Sequence, residues 1–202
     1  MIRTSAGLFR GSGAVLWVAI TAVASEPPAG LSKLLDPDKL KDVQSRLENS
    51  ADFADRVKGK RVVLASASAY TEKADGADAA IEFVETLHFR YDDGKTIRTV
   101  LNLSANKVVK VEELAAYPTP LAGNEVAEAK KLAEEKDEKV KVLVANTPAG
   151  NLTVSTLAPV VSDKKHANYG KRLAVVIYSP KGKLAETQKV LVNLTDKTVS
   201  RD

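Results

Sequence analysis

Few residues in this chain could carry chemistry. Histidine occurs twice, at His88 and His166, and cysteine not at all, which excludes thiol nucleophiles, thiolate metal sites and disulfides. His88 falls on a strand pattern and is followed at i+2 by Arg90, while His166 stands in a polar loop. Neither has a second ligand at the spacing its element requires, so no metal and no other cofactor is expected. His88, Arg90 and Asp92 share one parity, which assigns them to the solvent face. Asp92-Asp93 could form an acid pair, but carboxylates in a turn before Gly94 are expected to accept backbone N–H bonds. No Gly-x-Ser-x-Gly occurs, and Gly11-Ser12-Gly13 falls in an apolar leader rather than in a phosphate-binding loop. Glu125, Glu128, Lys131, Glu134 and Glu135 read as a solvated helix face with i,i+3 and i,i+4 pairing. No catalytic, cofactor-binding or metal-binding residue is assigned, and the binding surface is left open.

The elements that would position any site alternate in a simple order. Leu31 to Gly59 has helical spacing (Leu35, Leu40, Val43, Leu47, Phe53, Val57), with a break expected at Asn49-Ser50. Lys60 to Tyr70 reads as a strand, Thr71 to Ala80 as a loop, and Ile81 to Tyr91 as a strand with Phe83, Leu87, Phe89 and Tyr91 inward. Asp92 to Lys95 makes a hairpin turn, and Thr96 to Leu103 and Lys107 to Leu114 complete a meander. The prolines of AYPTPLAG mark an extended connection. The order then restarts. Asn124 to Lys136 reads as a helix with Val126, Ala129, Leu132 and Ala133 on one face. Strands are expected at Lys139 to Ala145, Asn151 to Val161, Arg172 to Tyr178, Leu184 to Leu194 and Thr198 to Ser200, with a polar loop at Ser162 to Gly170.

The two halves share more than an order of elements. YDDGKTIRTVLNLSANKVVKV and YSPKGKLAETQKVLVNLTDKTV follow one grammar, pairing Tyr91 with Tyr178, Gly94 with Gly182 and Asn102 with Asn193. Small insertions in the second copy account for the drift in spacing. The expected architecture is α+β, a duplication of a helix packed on an antiparallel sheet. It places modules at 31–116 and 124–202, with a Pro-rich linker at 117–123.

The first 24 residues bear on compartment. Arg3 and Arg10 precede an apolar run of about 11 residues, Ala14 to Ala24, which ends in the small-x-small Ala22-Val23-Ala24. That run is short of the ~20 residues of a membrane-spanning helix and matches a cleaved export signal over 1–24, after which no transmembrane span is expected. Location is then extracytoplasmic, periplasmic or secreted. Loss of the two arginines lowers the formal charge from +4 to about +2, and aromatics make up 5%, a balance that does not favour nucleic acid. Asn102, Asn151 and Asn193 begin Asn-x-Ser/Thr triplets, but Asn102 and Asn193 fall where strands end, so turn capping is the expected role.

The stretch Phe89 to Glu135 (FRYDDGKTIRTVLNLSANKVVKVEELAAYPTPLAGNEVAEAKKLAEE) resembles the tandem N-terminal domains of copper amine oxidases, which are paired cystatin-like modules. Its hairpin grammar is also similar to PepSY-type envelope domains. In the amine oxidases a separate, large sandwich domain carries the copper histidines and the modified tyrosine, so the resemblance implies non-catalytic modules here. Asn168-Tyr169 has the first two residues of the family's cofactor motif, but Gly170 replaces the acid and no His-x-His pair exists. Tyr169 is therefore expected to be an ordinary tyrosine. Gln188 to Val192 (QKVLV) lacks the glycine of the cystatin inhibitory loop and lies in a predicted strand. The expected function is an exported non-catalytic module that binds a protein or surface partner in the cell envelope through sheet faces or exposed edges. The alternative is an accessory or inhibitory partner of an exported enzyme, for which Ser162 to Gly170 would be the protruding loop; an enzyme with an unfamiliar site is the third class.

Overall fold

The structure is a computed structural model that describes residues 35–73, 80–148 and 150–201. The leader at 1–24, the first residues of the predicted first helix and most of the Thr71 to Ala80 loop lie outside the described residues.

Asp36 starts α1 (Pro37–Glu48) by accepting hydrogen bonds from the Asp38 and Lys39 N–H groups, with proline in the first turn where its missing donor costs nothing. The helix stops at Asn49, and α2 (Ala51–Val57) follows Ser50, as the Asn-Ser break predicts. Val43, Leu47 and Phe53 face inward. Four strands then run as an antiparallel meander: β1 (Val62–Glu72), β2 (Ile81–Arg90), β3 (Lys95–Asn102) and β4 (Lys107–Ala115), in that spatial order. Val84, Ile97, Leu101 and Ala69 project from the sheet onto the helices and complete one core.

The second half repeats this plan. It contains α3 (Gly123–Lys136), α4 (Glu138–Asn146), and a second antiparallel sheet of β5 (Leu152–Leu157), β6 (Leu173–Pro180), β7 (Gln188–Asn193) and β8 (Thr198–Ser200). The protein is thus α+β, with two sheets of four strands and a helix pair before each among the described residues. Asn102 and Asn193 occupy equivalent strand ends and cap the following turns, accepting from the Ala105 N–H at 2.8 Å and the Asp196 N–H at 2.9 Å.

One predicted strand is a helix. Lys139 to Ala145 alternates Val140, Val142 and Val144, which suggested period two, yet the segment is α4. Val140, Leu143 and Val144 also satisfy i, i+3, i+4, and those are the residues that meet the core, while Val142 is 55% exposed. The Asp137 carboxylate settles the start by accepting from the Val140 N–H at 2.9 Å. The correction makes the halves more alike, since each now opens with two helices.

The parity argument for β2 also fails, since the face read as outward is covered from Val84 onward, with Val84 0% and Thr86 1% exposed. His88 and Arg90 are 6% and 7% exposed, not solvent-facing. His88 packs against the Phe53 ring at 4.8 Å, under α2, while Phe89 and Tyr91 on the opposite face join the core of the second half.

Candidate functional site

The two halves meet through a buried polar cluster. The Glu125 carboxylate accepts from Arg172 Nε at 2.9 Å, Arg172 Nη2 at 2.7 Å, the Tyr91 hydroxyl at 2.5 Å and the Ala122 N–H at 2.8 Å. Arg172 completes its donor set on the Thr119 hydroxyl at 2.7 Å and the carbonyls of Thr119 and Pro120, and lies over the Phe89 ring at 4.8 Å. One guanidinium at the entry to β6 thus holds the linker, the start of α3 and the end of β2. Arg61, just before β1, stacks on the neighbouring ring, Tyr91, at 3.9 Å. Burial pushes the Glu125 carboxyl up, but the hydrogen bonds from Arg172 and Tyr91 outweigh it and hold the group below the usual carboxylate value. Burial, then the carboxylate beside it, raise the Tyr91 phenol.

Glu125 corrects the expectation of a solvated acidic face, since it is 2% exposed. Its place at the third position of α3 was the available signal. A glutamate there commonly reaches back to the first free N–H of its helix, as the Ala122 contact does. Its partner 47 residues later had no local signature. The other face residues divide. Glu128 pairs with Lys197 and Arg61, Glu134 accepts from the Tyr178 hydroxyl at 3.3 Å, and Lys131 pairs with Glu135 as predicted. The repeated tyrosines therefore reach the same helix, Tyr178 from within its own half and Tyr91 from the other.

Backbone contact closes the junction beside this cluster. Gly94 has φ +66°, and a Cβ added there would lie 1.9 Å from the Gly170 carbonyl oxygen. Gly170 itself has φ +70°. The close approach requires a glycine at Gly94, whereas a Cβ at Gly170 would lie 3.7 Å from the Asp93 carbonyl oxygen and glycine there suits the positive φ. Tyr169, next to that contact, is half-buried, and Asn168 accepts from Asn193 Nδ2 at 3.3 Å. His166 is exposed and its Nδ1 accepts from the Asn168 N–H at 3.0 Å. His88 and His166 are not brought together, and no group of three or more His, Cys, Asp or Glu side chains converges as a metal site among the described residues.

A cleft of about 460 Å³ opens beside the same turn, lined by Asp52, Asp55, Arg56, Lys60, Arg90, Asp92, Asp93 and Glu113. At its floor Arg90 forms a two-pronged pair with Asp93 at 2.6 and 2.8 Å and a bond to Glu113 at 2.9 Å, and donates to the Arg56 carbonyl at 2.7 Å. Asp93 thus serves Arg90 as well as the Lys95 backbone N–H, and Asp92 accepts from the backbone N–H of Arg61 at 3.4 Å, as expected of carboxylates in this turn. Arg90 holds the Asp93 carboxyl down, and Lys95, then Arg90, do the same for Glu113. Proton donation near neutral pH calls for a raised carboxyl, and both acids at the floor are shifted the other way. The cleft suits ionic contact with a partner better than acid–base chemistry.

No family model matches the chain, and no curated protein matches its sequence. The structure is similar to that of a copper-containing benzylamine oxidase from Hansenula polymorpha, with 10% sequence identity and a TM-score of 0.51. The matched region takes in 83% of this chain but 29% of the oxidase. At that identity the likeness is one of fold alone. The chain has an amine-oxidase-like fold and spans less than a third of that neighbour's length.

Proposed function

We propose that this chain is an exported, non-catalytic pair of cystatin-like modules that binds a protein or surface component of the cell envelope. One observation carries the reading. Two like α+β units are held in a single orientation by Arg172, Glu125 and Tyr91 and by the Gly94–Gly170 contact. A fixed pair of modules offers a partner a composite surface already in its binding geometry, which lowers the ordering cost of association. The charged cleft of the first half, beside the turn that meets Gly170, supplies ionic specificity on that surface.

Two lines of support come from elsewhere in the chain. The resemblance of Phe89 to Glu135 to the tandem N-terminal domains of copper amine oxidases, and to PepSY-type domains, favours modules that accompany catalysis rather than perform it. Arg3, Arg10 and the apolar Ala14 to Ala24 favour export, with the mature chain starting near Ser25. No helix among the described residues is long and apolar enough to cross a membrane. The alternative, an accessory or inhibitory partner of an exported enzyme, is favoured by the loop at 158–171. Its tip at 162–167 is exposed while Gly170 and Asn168 anchor its base.

Export is tested by sequencing the N-terminus of material from the envelope or medium, with a start near Ser25 expected and an intact Met1 in the cytosol contradicting it. For binding, the immobilised chain is exposed to native envelope extract and then to excess soluble chain. A component displaced by the soluble chain is expected, and retention that does not compete would count against the reading. If the displaced component is an enzyme whose turnover the chain changes, the accessory alternative takes over.

A further inference from the structure

Among the described residues, β1 is the outer strand of its sheet and pairs with β2 alone. An edge strand presents N–H and C=O groups without ladder partners, and proteins commonly blunt such edges with short length, charge or proline. The other three edges here are blunted. β8 has three residues and β5 six, and β4 carries Lys107, Lys110, Glu112 and Glu113. β1 is 11 residues long, with no proline and no charge before Glu72. Its one irregularity is a bulge between Leu64 and Ser66.

We infer that a second copy of this chain pairs along β1, antiparallel, about a two-fold axis at Ala67, joining two four-stranded sheets into one of eight. Three conditions meet in this register, the first two linked by the alternation of the strand. The first is hydrogen-bond direction. The Arg61 carbonyl accepts from the Tyr91 N–H at 2.9 Å and so turns toward β2. By alternation, with the bulge included, Val62, Leu64, Ala67, Ala69 and Thr71 turn outward. Centring on Ala67 sets Ala67 against its own copy, Leu64 against Ala69 and Val62 against Thr71, outward groups on outward groups throughout.

The second condition is the sheet face. A two-fold axis perpendicular to the sheet keeps every residue on its own face, so opposed residues must share one. Leu64 and Ala69 do, lying opposite His88 and Val84 on the helix-covered side; Ser66 and Ser68 do, lying opposite Leu87 and Glu85 on the other. The bulge is what makes this parity work, because without it the two ends of β1 would fall out of phase. The third condition is charge. Arg61 at the entry to the strand comes opposite the exposed Glu72 at its end, twice by symmetry, and Arg61 keeps 46% of its side chain exposed. Val63 then faces Tyr70, a branched–aromatic pair of the kind that stabilises sheets. A register displaced by two residues keeps the hydrogen bonds but separates Arg61 from Glu72.

This pairing is independent of the envelope partner proposed above. Because the chain contains no cysteine, introduced thiols report the register directly. Ser66 and Ser68 of opposite copies form a non-hydrogen-bonded pair, with Cα atoms about 4.5 Å apart, inside disulfide range. A mixture of Ser66→Cys and Ser68→Cys chains should oxidise to a covalent dimer. Ser66→Cys alone, with its thiols on a diagonal of about 7–8 Å, should link much more slowly. Sedimentation equilibrium should give twice the monomer mass of the chain used. Ala67→Pro deletes an outward N–H, and Glu72→Arg sets like charges face to face; each should weaken association about tenfold or more. Arg61→Glu combined with Glu72→Arg should restore it. A monomer at every concentration would overturn the inference, as would a dimer that neither Glu72→Arg nor Ala67→Pro weakens, or thiols that link equally in every combination.

Discussion

Replacing Glu125 with alanine should cost about 3–5 kcal/mol, the range for removing one partner of a buried ion pair. The structure places this case firmly in that range. Glu125 and Arg172 side chains are 2% and 5% exposed, and the carboxylate accepts four hydrogen bonds. Deleting it strands a guanidinium that keeps only the Thr119 and Pro120 acceptors, and also leaves the Tyr91 hydroxyl and the Ala122 N–H without a partner. Glu125→Gln keeps the shape and loses the charge, so its cost should be smaller, about 1.5–3 kcal/mol. Glu125→Leu combined with Arg172→Met replaces the whole pair by apolar groups and should recover most of the loss, since such exchanges are often near neutral. Urea unfolding of the wild type, Glu125→Leu, Arg172→Met and the double variant, fitted at constant m, gives the coupling energy from the double-mutant cycle. In thermal unfolding Glu125→Ala should lower Tm by about 6–20 °C at 2–4 °C per kcal/mol. A cost under about 1 kcal/mol, or a coupling near zero, would show that the pair does not hold the halves together.

Three further outcomes follow from the geometry. Gly94→Ala should destabilise more than Gly182→Ala: both sites have positive φ, costing about 1–2 kcal/mol each, but a Cβ at Gly182 meets open space whereas at Gly94 it meets Gly170. Equal losses by urea titration would remove the close contact from the account. Burial lowers the His88 imidazole from 6.5 to about 4, so between those values the unfolded chain binds more protons, and stability is full above pH 6.5 and falls as pH drops toward 4. That loss amounts to about 3 kcal/mol, and His88→Phe should remove it from the stability–pH curve; an unchanged slope would mean that His88 is not buried neutral. Tyr169, lacking convergent histidines, should yield no quinone absorbance and no peroxide with copper, oxygen and a primary amine; either signal, if abolished by Tyr169→Phe, would contradict this.

The sequence carried the local decisions well and the distant ones poorly. The α1–α2 break at Asn49-Ser50, the turn at Gly94 and the capping asparagines Asn102 and Asn193 depend on residues within a few positions of each other, and each was legible. α4 was misread because Val140, Val142 and Val144 fit period two while Val140, Leu143 and Val144 fit the helix, and only packing into the core of the second half decides between them. His88, Arg90 and Glu125 were assigned to solvent because their covers come from elsewhere: α2 over His88, Asp93 and Glu113 around Arg90, Arg172 and Tyr91 around Glu125. A charged residue at an outward parity position reads as exposed unless its opposite charge is known to be near. For Glu125 that knowledge resides partly in the docking of one half on the other, and for His88 and Arg90 in the packing within the first half.

Docking is also the claim on which the proposed function depends, and backbone 15N relaxation tests it most directly. Amides in β2 and β3 and amides in β6 and β7 should report one shared rotational correlation time in the wild-type chain, and Glu125→Ala should split them. Two separate, shorter times in the wild type, as for beads on a flexible linker, would contradict the account.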